Sequence, residues 1–403
     1  MIRLDDLPNP QRRALDLVRE VAADKNCRPF LVGGPVRDVL LDRHDVLDVD
    51  LTLEDDSSSF ASALAKRTAG RVRSFPQFLT YKVTAEGLPE IDVATARKEK
   101  YRAPGALPTV EQGRLKDDLL RRDFSVNAIA IDVLSGEVHD PTNGVRDIEA
   151  RQIRVLHDQS FVDDPTRVFR ALRLAARLGF TLERHTDELL RDAVANGALT
   201  TVSRERIWRE LFLAMDEAEA PKVLAALAEA GALEVLFAKH NGELSARLEV
   251  MKRQAGAADP QLDRYVLYTA ALLHGNASPV DLEGSGFSQK RARNVMQVAN
   301  ELPRFADALA EATTDRQRFR ILKTATPETL SVLAETHRPQ VERYRDYVNF
   351  TLALRGNDLD VEPGPHVAKA LERTREAVFT GEVTPDQAHA FAREMAMKYL
   401  SRE

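Results

Sequence analysis

Several features are scarce in this sequence of 403 residues, and each scarcity narrows the kind of protein it can encode. Cys27 is the only cysteine, so the chain cannot form an internal disulfide. No apolar run reaches the ~18 residues of a membrane span, and the opening residues, which include Asp5 and Asp6, do not resemble a basic and apolar leader. We therefore expect a cytoplasmic protein without a membrane segment.

Neither sign of charge is in large excess. The 57 basic and 63 acidic residues leave a formal net charge of −6, which argues against general coating of nucleic acid but allows a local basic groove. Basic residues predominate locally between 151 and 184, so a polyanion partner is expected there, and the alternative is a solvated helix face. Otherwise the composition is that of a globular protein, with length for two or three domains of ~150 residues.

The first pattern that carries chemistry is a strand, a glycine pair and a helix start. A short apolar strand at 30–32 leads to two glycines, ending in Gly34, which let a ligand approach the backbone closely. Pro35 suits the first turn of a helix that would carry Arg37 near its positive end. Backbone N–H groups, helix dipole and guanidinium could then face one anion, so the pattern predicts a phosphate site.

Carboxylates follow this pattern at strand spacing. Alternation through 46–53 places Asp48 and Asp50 on one face of a strand, where both can share hard divalent cations. An isolated Asp-x-Asp is more often a solvated turn or strand edge, but the glycines and arginine ahead of this one favour a metal and triphosphate site. Asp92, flanked by strand-forming residues, is a third carboxylate that a neighbouring strand could bring beside the other two.

Periodicity predicts a mixed α/β unit followed by helices. Helical spacing at 57–69 and strand patterns between 72 and 94 indicate a small sheet with a crossover helix, and prolines and glycine at 97–115 indicate a loop that could move. The clearest later helix spans 164–179, with Asp164 at its N-cap. Further helices are predicted at 203–215, 221–231, 262–274, 288–311, 327–335, 340–354, 365–379 and 385–400.

The order of the motifs resembles the class II tRNA nucleotidyltransferase and bacterial poly(A) polymerase family. The first family motif is similar to Gly33-Gly34-Pro-Val-Arg37-Asp38 with Asp48-Val-Asp50. The second, third, template and fifth motifs are similar to residues 121–128, 140–144, 163–173 and 203–211. These matches cover roughly the first half of the chain, and beyond it the sequence is similar to the family only in being helical.

The resemblance implies an α+β fold, in which a small mixed-sheet nucleotidyltransferase head precedes an all-helical neck, body and tail. The implied boundaries are a catalytic head at 1–150, a neck with the template helix at 151–215, and a tRNA-binding body and tail at 216–403. The implied activity is template-independent, Mg²⁺-dependent addition of C, A or both to the 3′ end of tRNA. CTP and ATP would be consumed and pyrophosphate released, and no protein partner is evident.

The resemblance also gives the first motif a role in phosphoryl-type transfer, which needs metal ions to bridge the triphosphate and activate the attacking hydroxyl. Asp48 and Asp50 would hold Mg²⁺, and Gly34 and Arg37 would contact the nucleotide. Asp92 would be a third ligand or the general base, or it would only cap the edge of the sheet.

The second motif and the loop before it have implied roles as well. Arg122 would contact the ribose or the phosphates, unless it forms a structural salt bridge to Asp123, and Asn127 would hold the local backbone or contact the nucleotide. The loop at 97–115 is similar to that of members restricted to CC or A addition and of some poly(A) polymerases. Addition of CCA, CC only, A only or poly(A) therefore stays open.

Base selection is predicted from the template helix itself. Asp164 accepts and Arg167 donates hydrogen bonds one turn apart, which matches the amino donor and ring-nitrogen acceptor shared by cytosine and adenine. Uracil and guanine present the reverse order, so the pair should admit CTP and ATP only. Arg170 and Arg173 turn away by about 60° at each step of three and are expected to reach phosphates or tRNA. The alternative is a capped helix with surface arginines.

Two other classes of function compete with this interpretation. The helix ending in His274 is similar to one in histidine-aspartate phosphohydrolases, but Gly275 stands where that site requires Asp, so His274 is interpreted as structural. The other class is a catalytically silent RNA-binding protein on the same scaffold, against which the intact Asp48, Asp50 and Arg37 argue.

Overall fold

The structure is a computed structural model that describes residue 4 and residues 7–43, 48–237, 244–256, 259–275 and 277–401. The chain divides into two compact units between residues 239 and 240. Within the described ranges, no helix is long and apolar enough to cross a membrane. The division into a head, a neck and a body with tail at residues 150 and 215 stays a prediction.

The N-terminal unit contains a mixed sheet, which confirms the predicted α+β head. Its strands, with those of two small two-stranded sheets, are β1 (Pro29–Val32), β2 (Val49–Leu53), β3 (Arg71–Phe75), β4 (Thr80–Thr84), β5 (Ile91–Thr95), β6 (Arg97–Lys100), β7 (Thr109–Gln112), β8 (Ala130–Asp132), β9 (Val138–His139), β10 (Gln152–Ile153) and β11 (Thr181–Leu182). The strand order of the main sheet is β3-β4-β5-β2-β1-β8-β9. β2 and β5 run parallel, while the other neighbours in this sheet are antiparallel.

Burial explains why these segments form the centre of the unit. β1 is buried along its whole length, whereas the outer strand β3 is mostly exposed and carries Arg71 and Arg73. Charged side chains on an outer strand discourage pairing with a second chain. The helices of this unit are α1 (Asn9–Lys25), α2 (Gly34–Leu40), α3 (Ser57–Arg67), α4 (Leu115–Leu120), α5 (Gly144–Glu149), α6 (Ser160–Asp163), α7 (Arg167–Leu178), α8 (Arg184–Ala195), α9 (Arg204–Met215) and α10 (Ala220–Glu229).

The segment predicted as a loop at 97–115 is largely a β-hairpin, so that prediction is wrong for β6 and β7. The two strands pair from Arg97 opposite Gln112 to Lys100 opposite Thr109. Exposure alternates along β6, and Lys100 lies 3.1 Å from Glu111 across the pair. Hydrophobic periodicity could not reveal this strand because all four of its residues are charged.

Two predicted element starts also shift. α7 begins at Arg167 instead of 164, because the side chain of Asp164 accepts hydrogen bonds from the backbone N–H and the hydroxyl of Thr166 and holds a turn between α6 and α7. β2 begins at Val49, so Asp48 precedes the strand. The earlier part of the predicted strand, residues 46 and 47, lies outside the described residues.

The C-terminal unit is helical in its described residues, as predicted. One of its hydrophobic clusters joins Phe305, Leu309, Leu322, Leu333 and Val341. Its helices are α11 (Leu244–Ala255), α12 (Arg264–Leu273), α13 (Gln289–Met296), α14 (Leu302–Glu311), α15 (Asp315–Leu322), α16 (Pro327–Leu333), α17 (Arg338–Asn349), α18 (Pro365–Phe379) and α19 (Ala388–Leu400), with a π-helical turn at Gln297–Glu301 between α13 and α14.

Candidate active site

Two of the predicted carboxylates lie side by side in the sheet. The parallel pairing of β2 with β5 aligns Asp50 with Asp92, so both side chains leave the same face. Asp48 is exposed and immediately precedes β2, two residues before Asp50. The structure therefore aligns two of the three carboxylates that the sequence singled out, Asp50 and Asp92, while Asp48 lies just before the strand that carries Asp50.

These carboxylates repel one another in a partly dry environment. Burial raises the pKa of Asp50 to about 6, and the negative charge of Asp92 adds to the shift while the guanidinium of Arg122 opposes it. Burial likewise raises the pKa of Asp92, against the nearby Lys82. A cation placed among these groups would relieve both the repulsion and the loss of hydration.

The donor chemistry at this cluster fits a hard cation such as Mg²⁺. Oδ1 of Asp92 is buried without a hydrogen-bond partner, and the nearest cation, Nζ of Lys82, is 3.6 Å away. Within the described residues, however, no three Asp, Glu, His or Cys side chains converge closely enough to hold a metal ion. A site with one or two protein carboxylates fits Mg²⁺, whose remaining ligands are usually substrate phosphates and water.

The glycine pair lies directly beside the carboxylates. Gly33 has a φ of +74°, and a Cβ at this position would lie 2.9 Å from Nη1 of Arg122 and 3.8 Å from Oδ2 of Asp50. The positive φ favours glycine there, and a larger residue would also have to displace the end of the Arg122 side chain. Gly34 is the first residue of α2, and a Cβ at this position would lie 3.6 Å from Nη2 of Arg37. The side of Gly33 where a Cβ would stand therefore faces both the guanidinium of Arg122 and the carboxylate of Asp50.

Arg37 is held from two sides and is only 7% exposed in its side chain. Its Nε donates to Asp38 at 2.9 Å, and its Nη1 donates to Oδ1 of Asn127 at 2.7 Å. Asn127 in turn donates through Nδ2 to Asp123 at 3.0 Å. Arg37, next to Gly34, is therefore connected through Asn127 to Asp123, and contact of Arg37 or Asn127 with a nucleotide stays a prediction.

Arg122 pairs with Asp118 one helical turn earlier, and not with Asp123 as the structural alternative supposed. Nη2 of Arg122 donates to Oδ2 of Asp118 at 2.9 Å, while its Nε is buried without a hydrogen-bond partner. Asp118 is fully buried, which opposes its ionisation, but the charges of Arg122 and Arg121 lower its pKa. Arg122 is thus held beside Gly33 by Asp118, and its contact with a nucleotide stays a prediction.

The two proposed base-reading residues lie at the turn before α7 and at its first residue. Asp164 accepts at Oδ1 from the hydroxyl of Thr166 at 2.7 Å and from Nη2 of Arg206 at 3.2 Å. Nη1 of Arg167 donates to the Ser160 hydroxyl at 2.6 Å. In the described chain all the hydrogen bonds found to the Asp164 side chain end on Oδ1, so Oδ2 is the acceptor available to a base.

Arg167 also lines a cavity of about 310 Å³ next to the hairpin. Its Nη2 donates to the backbone oxygen of Arg121 at 3.0 Å, and the side chain is buried. Tyr101 lies on the same cavity wall, and burial raises the pKa of its hydroxyl. Arg167 therefore joins the template segment to the second motif.

Arg170 and Arg173 are held by carboxylates. Nε of Arg170 donates to Asp123 at 3.0 Å, and although burial opposes ionisation, this charge and the Asn127 hydrogen bond lower the pKa of Asp123 to about 2. Arg173 pairs with Glu210 at 2.9 Å and with Glu217 at 3.4 Å. The predicted phosphate or tRNA contacts of both arginines stay predictions.

The basic stretch at 151–184 is largely neutralised by such pairs. Its paired arginines are Arg154, Arg170, Arg173, Arg177 and Arg184. A polyanion that bound these arginines would have to compete with the carboxylates that pair with them.

Arg206 and Lys82 are site residues that sequence reasoning missed. Nη1 of Arg206 donates to the backbone oxygen of Gly105 in the hairpin at 2.7 Å, while its Nη2 bonds Asp164. Lys82 lies directly opposite Asp92 in the antiparallel pair of β4 and β5. The sequence could have identified Arg206, because it belongs to the fifth motif. It could not have identified Lys82, because the position of Lys82 opposite Asp92 depends on strand order.

Comparison with known proteins adds independent findings. Residues 29–154 match the family model described as the poly A polymerase head domain. The chain is 40% identical over 233 residues to an A-adding tRNA nucleotidyltransferase of Geobacter sulfurreducens, covering 57% of this chain and 26% of that protein. It spans about a quarter to a half of the length of the first curated relatives it matches.

Two further matches extend over both units. A multifunctional CCA protein of Neisseria gonorrhoeae is 32% identical over 372 residues, which cover 85% of this chain and 87% of that protein. A solved structure described as a tRNA nucleotidyltransferase complexed with a primer tRNA and an incoming ATP analog superposes with a TM-score of 0.70 at 30% identity. That match covers 82% of this chain and 98% of the other.

Proposed function

This chain belongs to the class II tRNA nucleotidyltransferase family, and from that premise we propose that it adds C, A or both to the 3′ end of tRNA, using CTP and ATP and releasing pyrophosphate. The observation that carries the proposal is the alignment of Asp50 with Asp92 beside Gly33 and Arg122. Carboxylates for a cation and a guanidinium for phosphates then meet at one glycine loop. Both substrates are available in the cytoplasm, where we place the reaction.

The proposed reaction forms a bond between the 3′ oxygen of the RNA and the α-phosphorus, and it breaks the bond from that phosphorus to pyrophosphate. Asp48 and Asp50 would hold Mg²⁺, which supplies charge neutralisation on the phosphates and lowers the pKa of the attacking hydroxyl. Asp92, whose buried Oδ1 lacks a hydrogen-bond partner, accepts the proton of that hydroxyl. Arg122 orients the triphosphate against Gly33, whose positive φ favours glycine.

Nucleotide choice is assigned to Asp164 and Arg167, because the groups proposed for the reaction, Gly34, Arg37, Asp48 and Asp50, can act on any nucleoside triphosphate. Oδ2 of Asp164 would accept from the exocyclic amino group, and Arg167 would donate to the adjacent ring nitrogen. The turn through Thr166 and the hydrogen bonds to Arg206 and Ser160 keep both side chains in place. Preorganised donors and acceptors discriminate better than mobile ones, since less freedom is lost on binding.

One assay tests the proposal. Purified protein is given tRNAs that end at the discriminator base, at C and at CC, each with CTP or ATP and Mg²⁺, and extension is followed on sequencing gels. Addition confined to C, to A or to both in order identifies the repertoire. Long A tails on unrelated RNA would assign the chain to poly(A) synthesis, and no extension of any RNA would favour the silent RNA-binding alternative.

A further inference from the structure

Asp118 is a fully buried carboxylate that takes no direct part in the proposed reaction. It lies on α4, and Arg121 and Arg122 follow it after three and four residues. Residues at these two spacings lie on the same face of a helix, so one aspartate can bind two consecutive arginines. A buried carboxylate is costly unless it is paired, and this arrangement provides two cations for one anion.

Each carboxylate oxygen of Asp118 binds a different arginine. Oδ1 accepts from Nε and Nη2 of Arg121 at 3.1 and 2.7 Å, and Oδ2 accepts from Nη2 of Arg122 at 2.9 Å. The hydroxyl of Thr52, on β2, lies 3.5 Å from the same Oδ2. Thr52 is two residues beyond Asp50, so both side chains leave the same face of the strand. Asp118 therefore lies next to the face of β2 that carries a proposed metal ligand.

The guanidinium of Arg122 reaches from this buried carboxylate to the glycine loop. While Nη2 is bound to Asp118, Nη1 lies 2.9 Å from the position that a Cβ of Gly33 would occupy. The side chain of Arg122 is only 17% exposed. An arginine has several rotatable bonds, and fixing them costs conformational entropy. The hydrogen bond to Asp118 meets this cost in the folded chain, before a nucleotide arrives.

Asp118 is itself held in place through Arg121. Nη1 of Arg121 donates to Glu99, on strand β6 of the hairpin, at 3.0 Å. Nε of Arg97 donates to the same carboxylate oxygen at 3.1 Å. The backbone oxygen of Arg121 also accepts from Nη2 of Arg167 at 3.0 Å. The hairpin and the template helix therefore both contact the arginine that fixes Oδ1 of Asp118, which leaves Oδ2 to direct Arg122.

We propose that Asp118 is a positioning residue, which directs the guanidinium of Arg122 toward the triphosphate beside Gly33. The inference rests on the proposed function, because it takes the contact between Arg122 and the phosphates from there. Asp118 acts through Arg122 and touches neither the nucleotide nor the metal. Loss of its charge should therefore weaken the binding of phosphates and leave the binding of base and ribose intact.

The test measures binding of ATP, AMP and inorganic triphosphate to the full chain with Mg²⁺, by isothermal titration calorimetry. In Asp118→Asn the Kd for ATP and for inorganic triphosphate should rise at least ~10-fold, as loss of one hydrogen bond to a charged group does, with an unchanged Kd for AMP. Asp117→Asn is the matched control on the same helix, since its carboxylate accepts from the backbone N–H of Arg114 and lies 3.6 Å from Nζ of Lys98. The fluorescence of the buried Trp208 shows whether each variant is folded.

A second comparison removes both partners, because a single partner left in the interior would carry an unpaired charge. Arg122→Met alone and Arg122→Met combined with Asp118→Asn should show the same ratio of the Kd for AMP to the Kd for ATP. The ratio should be equal because Asp118 acts through Arg122, so its loss has no further effect once Arg122 is gone. This comparison decides the positioning role even if Asp118→Asn alone fails to fold.

The outcomes separate the positioning role from the reaction. Unchanged ATP binding in Asp118→Asn, or equal weakening of ATP and AMP, would overturn the role of Asp118. A lower preference for ATP in the double variant than in Arg122→Met would overturn it as well, because Asp118 would then act by another route. A wild type that binds ATP no better than AMP would also overturn it, since the triphosphate contact would be missing. A wild type that prefers ATP to AMP but extends no RNA would count against the proposed reaction, and the Kd comparisons would still decide the role of Asp118.

Discussion

Replacing Asp50 with asparagine should stabilise the metal-free protein at alkaline pH, even though it removes a proposed metal ligand. Asp50 is partly buried on β2, and its pKa is raised from 3.8 to about 6 by burial and by the neighbouring carboxylate of Asp92. The folded chain therefore resists ionisation of this side chain. Each unit of difference between the folded and unfolded pKa corresponds to ~1.4 kcal/mol.

The sign of the pH dependence follows from the raised pKa. The stability associated with protonated Asp50 is fully present below about pH 4 and is lost as the pH rises through about 6, because the unfolded chain releases this proton first. A difference of about two units amounts to ~3 kcal/mol above pH 7, and structural relaxation reduces it. The Asp50→Asn variant escapes this loss, so its free energy of unfolding should exceed that of the wild type by ~1–3 kcal/mol at pH 8 and by little at pH 4.

Urea unfolding with EDTA at pH 4.5 and pH 8 measures this difference. Trp208, the only tryptophan, is buried on α9, so its fluorescence reports on the N-terminal unit. Asp346→Asn, at an exposed position of α17, is the control for loss of one negative charge. Added Mg²⁺ should stabilise the wild type and not the Asp50→Asn variant. A variant that is no more stable than the wild type at pH 8, or a gain that is equal at both pH values, would refute the electrostatic argument.

Three further predictions concern the reaction. Alanine at both Asp48 and Asp50 should lower tRNA extension at least ~1,000-fold, since a bound metal supplies several kcal/mol to the transition state, and unchanged single-turnover extension would disprove the metal assignment. Arg167→Ala should relax base choice more than nucleotide binding, so preserved rejection of UTP and GTP in competition assays would exclude the base-edge model. Gly105→Ala would bring a Cβ within 2.3 Å of the Thr201 hydroxyl. The variant should change the ratio of C to A addition, with only a small change in melting temperature. An unchanged ratio would show that the hairpin does not influence nucleotide choice.

Sequence periodicity predicted many of the elements that bury apolar residues, but it missed the charged hairpin and the helices α8, α11 and α15. The buried strand at 30–32 and the helix at 57–69 were recognisable because burial imposes a spacing on apolar side chains. β6 consists only of charged residues, and its partner β7 lies beyond a proline-containing connection, so neither showed such a spacing. α15 was also missed, although Thr314 and Gln317 form a capping box that could have identified its start.

In the candidate site, residues close in sequence were easier to group than residues that the sheet brings together. Residues close in sequence, such as Gly33, Gly34 and Asp50, could be grouped correctly because one strand, turn and helix connect them. The pairing of Arg122 with Asp118 was readable from their spacing of four residues within and just beyond a helix. The sequence indicated that a neighbouring strand could bring Asp92 beside Asp50, but the exact register of Asp92 against Asp50 and Lys82 depends on strand order, which local sequence patterns do not reveal.

A chain of hydrogen bonds connects the glycine loop to the template helix and gives several predicted ligands a positioning role. Arg37 donates to Asn127, Asn127 donates to Asp123, and Arg170 donates to the second oxygen of Asp123. With a pKa near 2, Asp123 stays ionised throughout the pH range of tRNA and nucleotide chemistry, so this connection does not titrate during the reaction. Removing one member would leave a buried charge unpaired, which costs more than the lost contact alone. Paired charges therefore stabilise the spacing between the glycine loop, next to the proposed metal-binding carboxylates, and the helix that carries Arg170 beside the proposed base-reading side chains.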